Sequence, residues 1–266
     1  MKDILEDIFA NKQKELEQWK QYVPLKQLYG IIEYEGALKK EVPSMKAALQ
    51  ADNANVVAEF LRKTPAKGWV NKDAKVRNLV PNFEKNGAKA ISIPTDFTFF
   101  GGYDEFLQEA KAVGVSLPLL YKNYIIDEYQ LFQAKHVGAS AVMLTAVFLE
   151  KEHLKHLISL SHQLNMEVAL ELHTEDEIDF LACEPDMVVV NNRLAGSFEN
   201  DINRSLEFAT KLPKNILKLS QGGIDTPEKA KEIFSAEYNS IIIGEEIMQK
   251  ENPSEALKRF ITDINH

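Results

Sequence analysis

Eight short apolar runs recur along the chain, at residues 56–59, 90–93, 117–123, 141–144, 168–173, 187–193, 217–223 and 241–246. Each is rich in Val, Ile and Leu without alternation, as a strand buried on both faces requires. Six of them end in polar residues able to do chemistry, among them Glu59, Lys122, Glu171, Asn191, Gln221 and the Gly244-Glu245-Glu246 run. Between the runs lie amphipathic stretches of helical length, at 74–87, 103–113, 127–138, 150–165, 175–183, 200–212, 227–234 and 253–264. In the third of these, Leu131, Ala134 and Val137 recur at three-residue steps and Gly138 supplies a stop. Thr226-Pro227-Glu228 reads as an N-cap followed by proline at the first helical position.

Strands alternating with single helices build right-handed βαβ units and a parallel sheet. Eight such units over residues 51–266 predict a (β/α)8 TIM barrel, whose chemistry collects at the C-terminal ends of the strands. A doubly wound open sheet is the competing fold, but no G-x-G-x-x-G follows the first strand. Residues 1–50 precede that strand. A helix over 3–21 and another over 45–49, opened by Pro43-Ser44, predict an N-terminal helical extension that caps the barrel bottom or folds over its rim. The expectation is one domain, 1–50 as extension and 51–266 as barrel.

Composition changes this picture little. A net charge of −9 argues against nucleic acid as a partner, and no apolar run approaches the length that crosses a bilayer. The N-terminus lacks the pattern of a signal peptide, so a cytoplasmic protein is expected, acting on a small-molecule substrate, as a monomer. The single cysteine, Cys183, excludes an intramolecular disulfide and reads as a small buried hydrophobe. No metal site and no cofactor are expected. His153 and His156 lie three apart on a helix, a spacing that metals use, but no third ligand accompanies them and a solvated face is the simpler reading.

The order of motifs resembles the indole-3-glycerol-phosphate synthase family over nearly the whole chain. Ala58-Glu59-Phe60-Leu61-Arg62-Lys63-Thr64-Pro65-Ala66-Lys67-Gly68 is similar to the family's segment after strand one. Leu120-Tyr121-Lys122-Asn123-Tyr124-Ile125-Ile126-Asp127, Glu171-Leu172-His173 and Asn191-Asn192-Arg193 follow in the family's order, as does Thr95-Asp96 ahead of Phe99-Phe100-Gly101-Gly102. The resemblance implies a lyase that closes a ring on an anthranilate-derived ribulose phosphate with loss of CO2 and water. It implies Lys122 as general acid, Glu171 as second acid/base and Glu59 as its partner. It further implies Asn191, Arg193, Leu61, Tyr121 and Gln221 in substrate binding, and Gly223 and Gly244 at the phosphate.

The departures cluster at strand ends. Leu61 stands where the family pattern has lysine, Tyr121-Lys122-Asn123 where it has Arg-Lys-Asp, and Gln221-Gly222-Gly223 where it has Glu-Ser-Gly. Leu194 replaces a polar residue, and Pro94 closes strand two. Losing a lysine beside Glu59 and Glu171 is expected to raise their pKa values, as in a drier and less cationic pocket. Two activities therefore stand side by side: the synthase reaction, or a pocket re-lined by drift or engineering for proton abstraction of the Kemp elimination kind or a lysine-dependent retro-aldol. A catalytically silent barrel is the third possibility. Of the remaining residues, His173 is expected at a structural hydrogen bond, Phe99-Phe100-Gly101-Gly102 as a loop, Phe148 as packing or pocket wall, and the Glu245 side chain pointing outward.

Overall fold

A computed structural model describes residues 4–50 and 54–266, so the helix expected from residue 3 is seen from Ile4. Eight parallel strands close into a barrel: β1 (Asn55–Glu59), β2 (Ala90–Pro94), β3 (Leu119–Lys122), β4 (Ala141–Thr145), β5 (Glu167–Leu172), β6 (Met187–Asn191), β7 (Leu217–Gln221) and β8 (Ser240–Ile243). Each strand pairs with its sequence neighbours, and β8 closes on β1 with Val57 opposite Ile242.

Successive side chains of a strand point to opposite faces. The inward set is Val57, Ala90, Leu120, Ala141, Met143, Ala169, Met187, Val189, Leu217, Leu219 and Ile242, packed as one cluster. The outward set, including Val56, Ala58, Ile91, Ile93, Leu119 and Tyr121, packs beneath the surrounding helices. Two residues past an inward apolar residue comes an inward polar one: Glu59 after Val57, Lys122 after Leu120, Glu171 after Ala169, Asn191 after Val189, Gln221 after Leu219. The register keeps them level, since Asn191 pairs with Gln221, Pro94 with Lys122 and Glu171 with Thr145.

The extension does both things expected of it. Helix α3 (Met45–Gln50) drives Met45 and Leu49, both fully buried, into the inner cluster and so plugs the base. Helix α1 (Ile4–Tyr22) lies across the mouth instead, where Ile4, Leu5 and Ile8 line the central cavity and Phe9 stacks on Phe148 at 5.6 Å. Ile8, Lys12 and Leu16, four residues apart, make one buried stripe with a lysine in its middle. The Lys12 ammonium is held by Asp96 at 2.8 Å and Glu15 at 2.6 Å, tying α1 to the end of β2. Helix α2 (Leu25–Tyr34) has no counterpart among the sequence expectations; it packs Leu28 and Ile32 against Tyr129.

Two local readings change. Residues 97–100 form one helical turn rather than a loop, because the Asp96 carboxylate accepts the Phe99 amide and Gly101 ends the turn at φ 64°. Gly102 follows it against β2, where a Cβ would lie 1.9 Å from the Pro94 carbonyl oxygen. The stretch Glu175–Cys183 is a 3-10 helix rather than an α-helix, opened by a Thr174/Glu177 capping box.

Candidate active site

The polar strand ends surround a cavity of about 470 Å³ at the barrel mouth. Glu59, Lys122, Glu171, Asn191, Arg193, Leu61, Gln221, Gly223 and Gly244 all line it. Tyr121 does not, contrary to expectation. It adjoins Lys122 on β3, so the pleat turns it outward, fully buried against the barrel wall with its hydroxyl donating to Asp104 at 2.8 Å. Burial pushes the Asp104 carboxyl up to about 6, against the Tyr121 hydrogen bond. Burial and the Asp104 charge in turn raise the Tyr121 phenol well above its ordinary range.

A continuous hydrogen-bonded line crosses the mouth. Glu59 Oε2 accepts from Ser92 at 2.7 Å and from the Lys122 ammonium at 2.7 Å. Lys122 also donates to Gln221 Oε1 at 3.0 Å, and the Gln221 amide nitrogen donates to Glu171 Oε1. Glu171 is 4% exposed and collects further donors: Asn191 at 2.9 Å on Oε1 and Thr145 at 2.9 Å on Oε2. His173 Nε2 stands 3.3 Å from Oε2. Gln221 thus joins an ammonium to a carboxylate, oxygen toward the cation and nitrogen toward the anion, which is the only orientation that satisfies both.

The expected rise in carboxylate pKa is not what Glu171 undergoes. Burial pushes its carboxyl up, but the His173 charge and contact, the Lys122 ammonium and the Asn191 amide outweigh burial and hold it at about 2. The missing lysine at position 61 is thereby compensated by groups that the sequence places on other strands. Leu61 itself is buried beside Glu59, with its Cβ 3.2 Å from where a Cβ on Gly244 would sit.

The cavity is also lined by Gly222, Gly223, Gly244 and Lys229, with Gly244 packed against Glu59 and Gly222 next to Gln221. Gly222 and Gly223 adopt φ of 92° and 69°, and a Cβ on either would lie 2.7 Å from Asn200. Glu245 does not point away: it lines the cavity and binds Lys67 at 2.5 Å, which raises the lysine's pKa by hydrogen bond and charge. Phe148 lies outside the cavity, edge-on to Tyr124, which with Phe100 forms an aromatic wall. His173 makes no aligned hydrogen bond through Nε2, whereas its carbonyl accepts from Arg204. Sequence reading missed Ile4, Leu5, Ile8, Asp96 and Asn200 as lining residues. Only the apolar stripe of α1 hinted at the first three.

Elsewhere, His153 contacts the Ile126 carbonyl at 3.1 Å and His156 lies 3.4 Å from Glu128. Among the described residues no group of three or more His, Cys, Asp or Glu is placed to hold a metal ion, and no helix is long and apolar enough to cross a membrane. Cys183 is buried, with burial raising its thiol pKa.

A sequence model of the indole-3-glycerol phosphate synthase family matches residues 5–260. Relatives bearing that name include one from Bacteroides thetaiotaomicron, 40% identical over 99% of this chain and 100% of its own length. Another, from Clostridium kluyveri, is 32% identical over 98% of each. Among solved structures, thiamine phosphate pyrophosphorylase from Pyrococcus furiosus superposes with a TM-score of 0.63 at 12% identity, covering 84% of this chain and 98% of its own. The tryptophan synthase α subunit of Legionella pneumophila gives 0.58 at 12%, over 83% and 96%. These last two show the shared barrel alone. The chain belongs to the indole-3-glycerol phosphate synthase family.

Proposed function

We propose that this chain closes the indole ring of a carboxyphenylamino-deoxyribulose phosphate, releasing CO2 and water, with Lys122 as general acid and Glu171 as second acid/base. The observation that carries the reading is the line Glu59–Lys122–Gln221–Glu171, which spans the mouth in a member of this family. A reacting carbonyl oxygen gains negative charge as the ring carbon attacks, and a fixed ammonium beside it stabilises that charge and can deliver its proton. Glu59 is the counter-charge that holds the Lys122 side chain in place and aimed. Once CO2 has left the attacking carbon, that ring is aromatic again, and dehydration takes a proton from the nitrogen-bound methylene carbon while the hydroxyl on the former carbonyl carbon leaves as water. A carboxylate held ionised, as Glu171 is, can take that proton and return it to the leaving oxygen.

Leu61, Ile8 and the Phe100–Tyr124 wall give the cavity apolar surface suited to an aromatic ring. The phosphate belongs at the glycine-lined side, near Gly223 and Gly244, where no side chain keeps the ligand from the backbone. Arg193 and Asn191 hold one another through the Arg193 amide at 3.0 Å, fixing the β6 end beside the substrate.

The test is a steady-state assay with this substrate. Wild-type turnover is expected, with Lys122→Met and Glu171→Gln each slowing it by roughly 10²–10⁴ at little change in KM. Absence of wild-type turnover, or full rate in both variants, refutes the assignment.

A further inference from the structure

At the opposite end of the barrel from the proposed active site, a second cavity of about 230 Å³ lies between the extension and the C-terminal ends of two barrel helices. Lys40 and Glu35 border it from the extension, Lys111 from the helix Glu105–Ala112, and Lys135 and His136 from the helix Glu128–His136. Lys135 is 1% exposed, and its ammonium has no hydrogen-bond partner. Among the described residues no carboxylate lies within ion-pair distance of Lys40, Lys111 or Lys135; the one acid present, Glu35, is taken up by His136 at 3.2 Å. In a chain of net charge −9, three lysines without a carboxylate partner meet at one hole, Lys135 buried and Lys40 and Lys111 exposed at its edge. A buried cation without a counter-ion is strongly unfavourable, and burial does lower the pKa of Lys135 and, helped by Lys135 and Lys40, of Lys111.

The local backbone makes room for the cluster. Gly138 sits at φ 80°, and a Cβ there would fall 2.6 Å from Lys111 Nζ, so the glycine leaves the space that this ammonium occupies. Lysines act as point-charge donors to phosphate, three from different elements can surround one tetrahedron, and the volume admits a small ion.

We propose that this cavity is an anion site that takes a tetrahedral oxyanion, either inorganic phosphate or the phosphoryl end of a small phosphomonoester. Bound there, the anion neutralises Lys40, Lys111 and Lys135 together and clamps the extension to the barrel base.

Equilibrium dialysis of the full chain against labelled inorganic phosphate at low ionic strength tests this, with Lys135→Met and Lys111→Met alongside. Each variant is expected to lose one bound phosphate per chain, or to hold it roughly ten- to a hundredfold more weakly, while synthase turnover stays at the wild-type rate. Phosphate bound at the mouth would be unaffected by these substitutions, so the difference between wild type and variant isolates the base. Glycerol 3-phosphate is the competing probe: displacement of the variant-sensitive phosphate assigns a monoester, and failure to displace it assigns the free ion. Folded variants that bind as much phosphate as wild type, with equal affinity, overturn the proposal. Should Lys135→Met fail to fold, Lys111→Met decides, because Lys111 is solvent-exposed and carries no core packing.

Discussion

Lys122 and Lys135 face cavities at opposite ends of the same barrel, and their surroundings are opposites. At the mouth the ammonium sits between a carboxylate and an amide oxygen, 2.7 and 3.0 Å away. At the base it has no partner at all. A paired charge is aimed before any ligand arrives, which suits a group that acts on a substrate. An unpaired one is favourable only once something of the opposite sign joins it. Lys12 belongs with the mouth: it is fully buried between Asp96 and Glu15 and fastens α1 across the cavity.

One substitution, lysine to methionine, applied at each position separates these roles, and the widest gap is expected in rate. Lys122→Met lowers turnover by orders of magnitude whereas Lys135→Met leaves it unchanged; equal losses would erase the distinction between the two ends. Stability comes next. Removing Lys12 strands Asp96, and removing Lys122 strands Glu59, at up to about 3–5 kcal/mol each in urea unfolding. Pairing Lys122→Met with Glu59→Gln should recover most of the stability but none of the turnover. A double variant no more stable than the single one would show that Glu59 is not held by Lys122.

Acid should expose the mouth network from another side. Glu171 is held at about 2 in the folded chain, below its ordinary value of 4.5. A depressed carboxylate contributes stability that is fully present above 4.5 and is lost as pH falls from there toward 2. The contribution is on the order of 3 kcal/mol, and Glu171→Gln should flatten that part of the stability curve. Asp104 has the reverse sign. Raised from 3.8 to about 6, it lowers stability as pH climbs through that window, a slope that Asp104→Asn removes. The smallest effect is at the base. In phosphate-free buffer Lys135→Met should stabilise the chain, by about 1 kcal/mol, because an uncompensated buried charge disappears. A clear loss there would mean that the ammonium already has compensation.

Much of this architecture could be read from the chain without coordinates. The eight apolar runs coincide with eight strands to within a few residues, and helix Pro253–Ile264 has the bounds its pattern predicts. Such runs report burial directly, since a strand covered on both faces tolerates little else. Tyr121 shows where reading went astray. The family motif placed it beside Lys122 and invited both into the pocket, although a period of two sends neighbours to opposite sides of the wall. Helix α2 escaped notice because its residues match no motif, and Leu28 and Ile32 find their partners on α1 and a distant barrel helix.

Amino-acid order alone therefore specified the strands, the alternation with helices, and which residues carry acid or base groups, because periodicity and local preference act within a few positions. It could not specify the charge state of Glu171. That depends on His173, two residues further along the same segment, and on Lys122 and Asn191, which the closed barrel brings in from two other strands. Nor could it mark Lys135 as unpaired, since whether an ammonium finds a carboxylate depends on distances that exist only after the extension folds against the base.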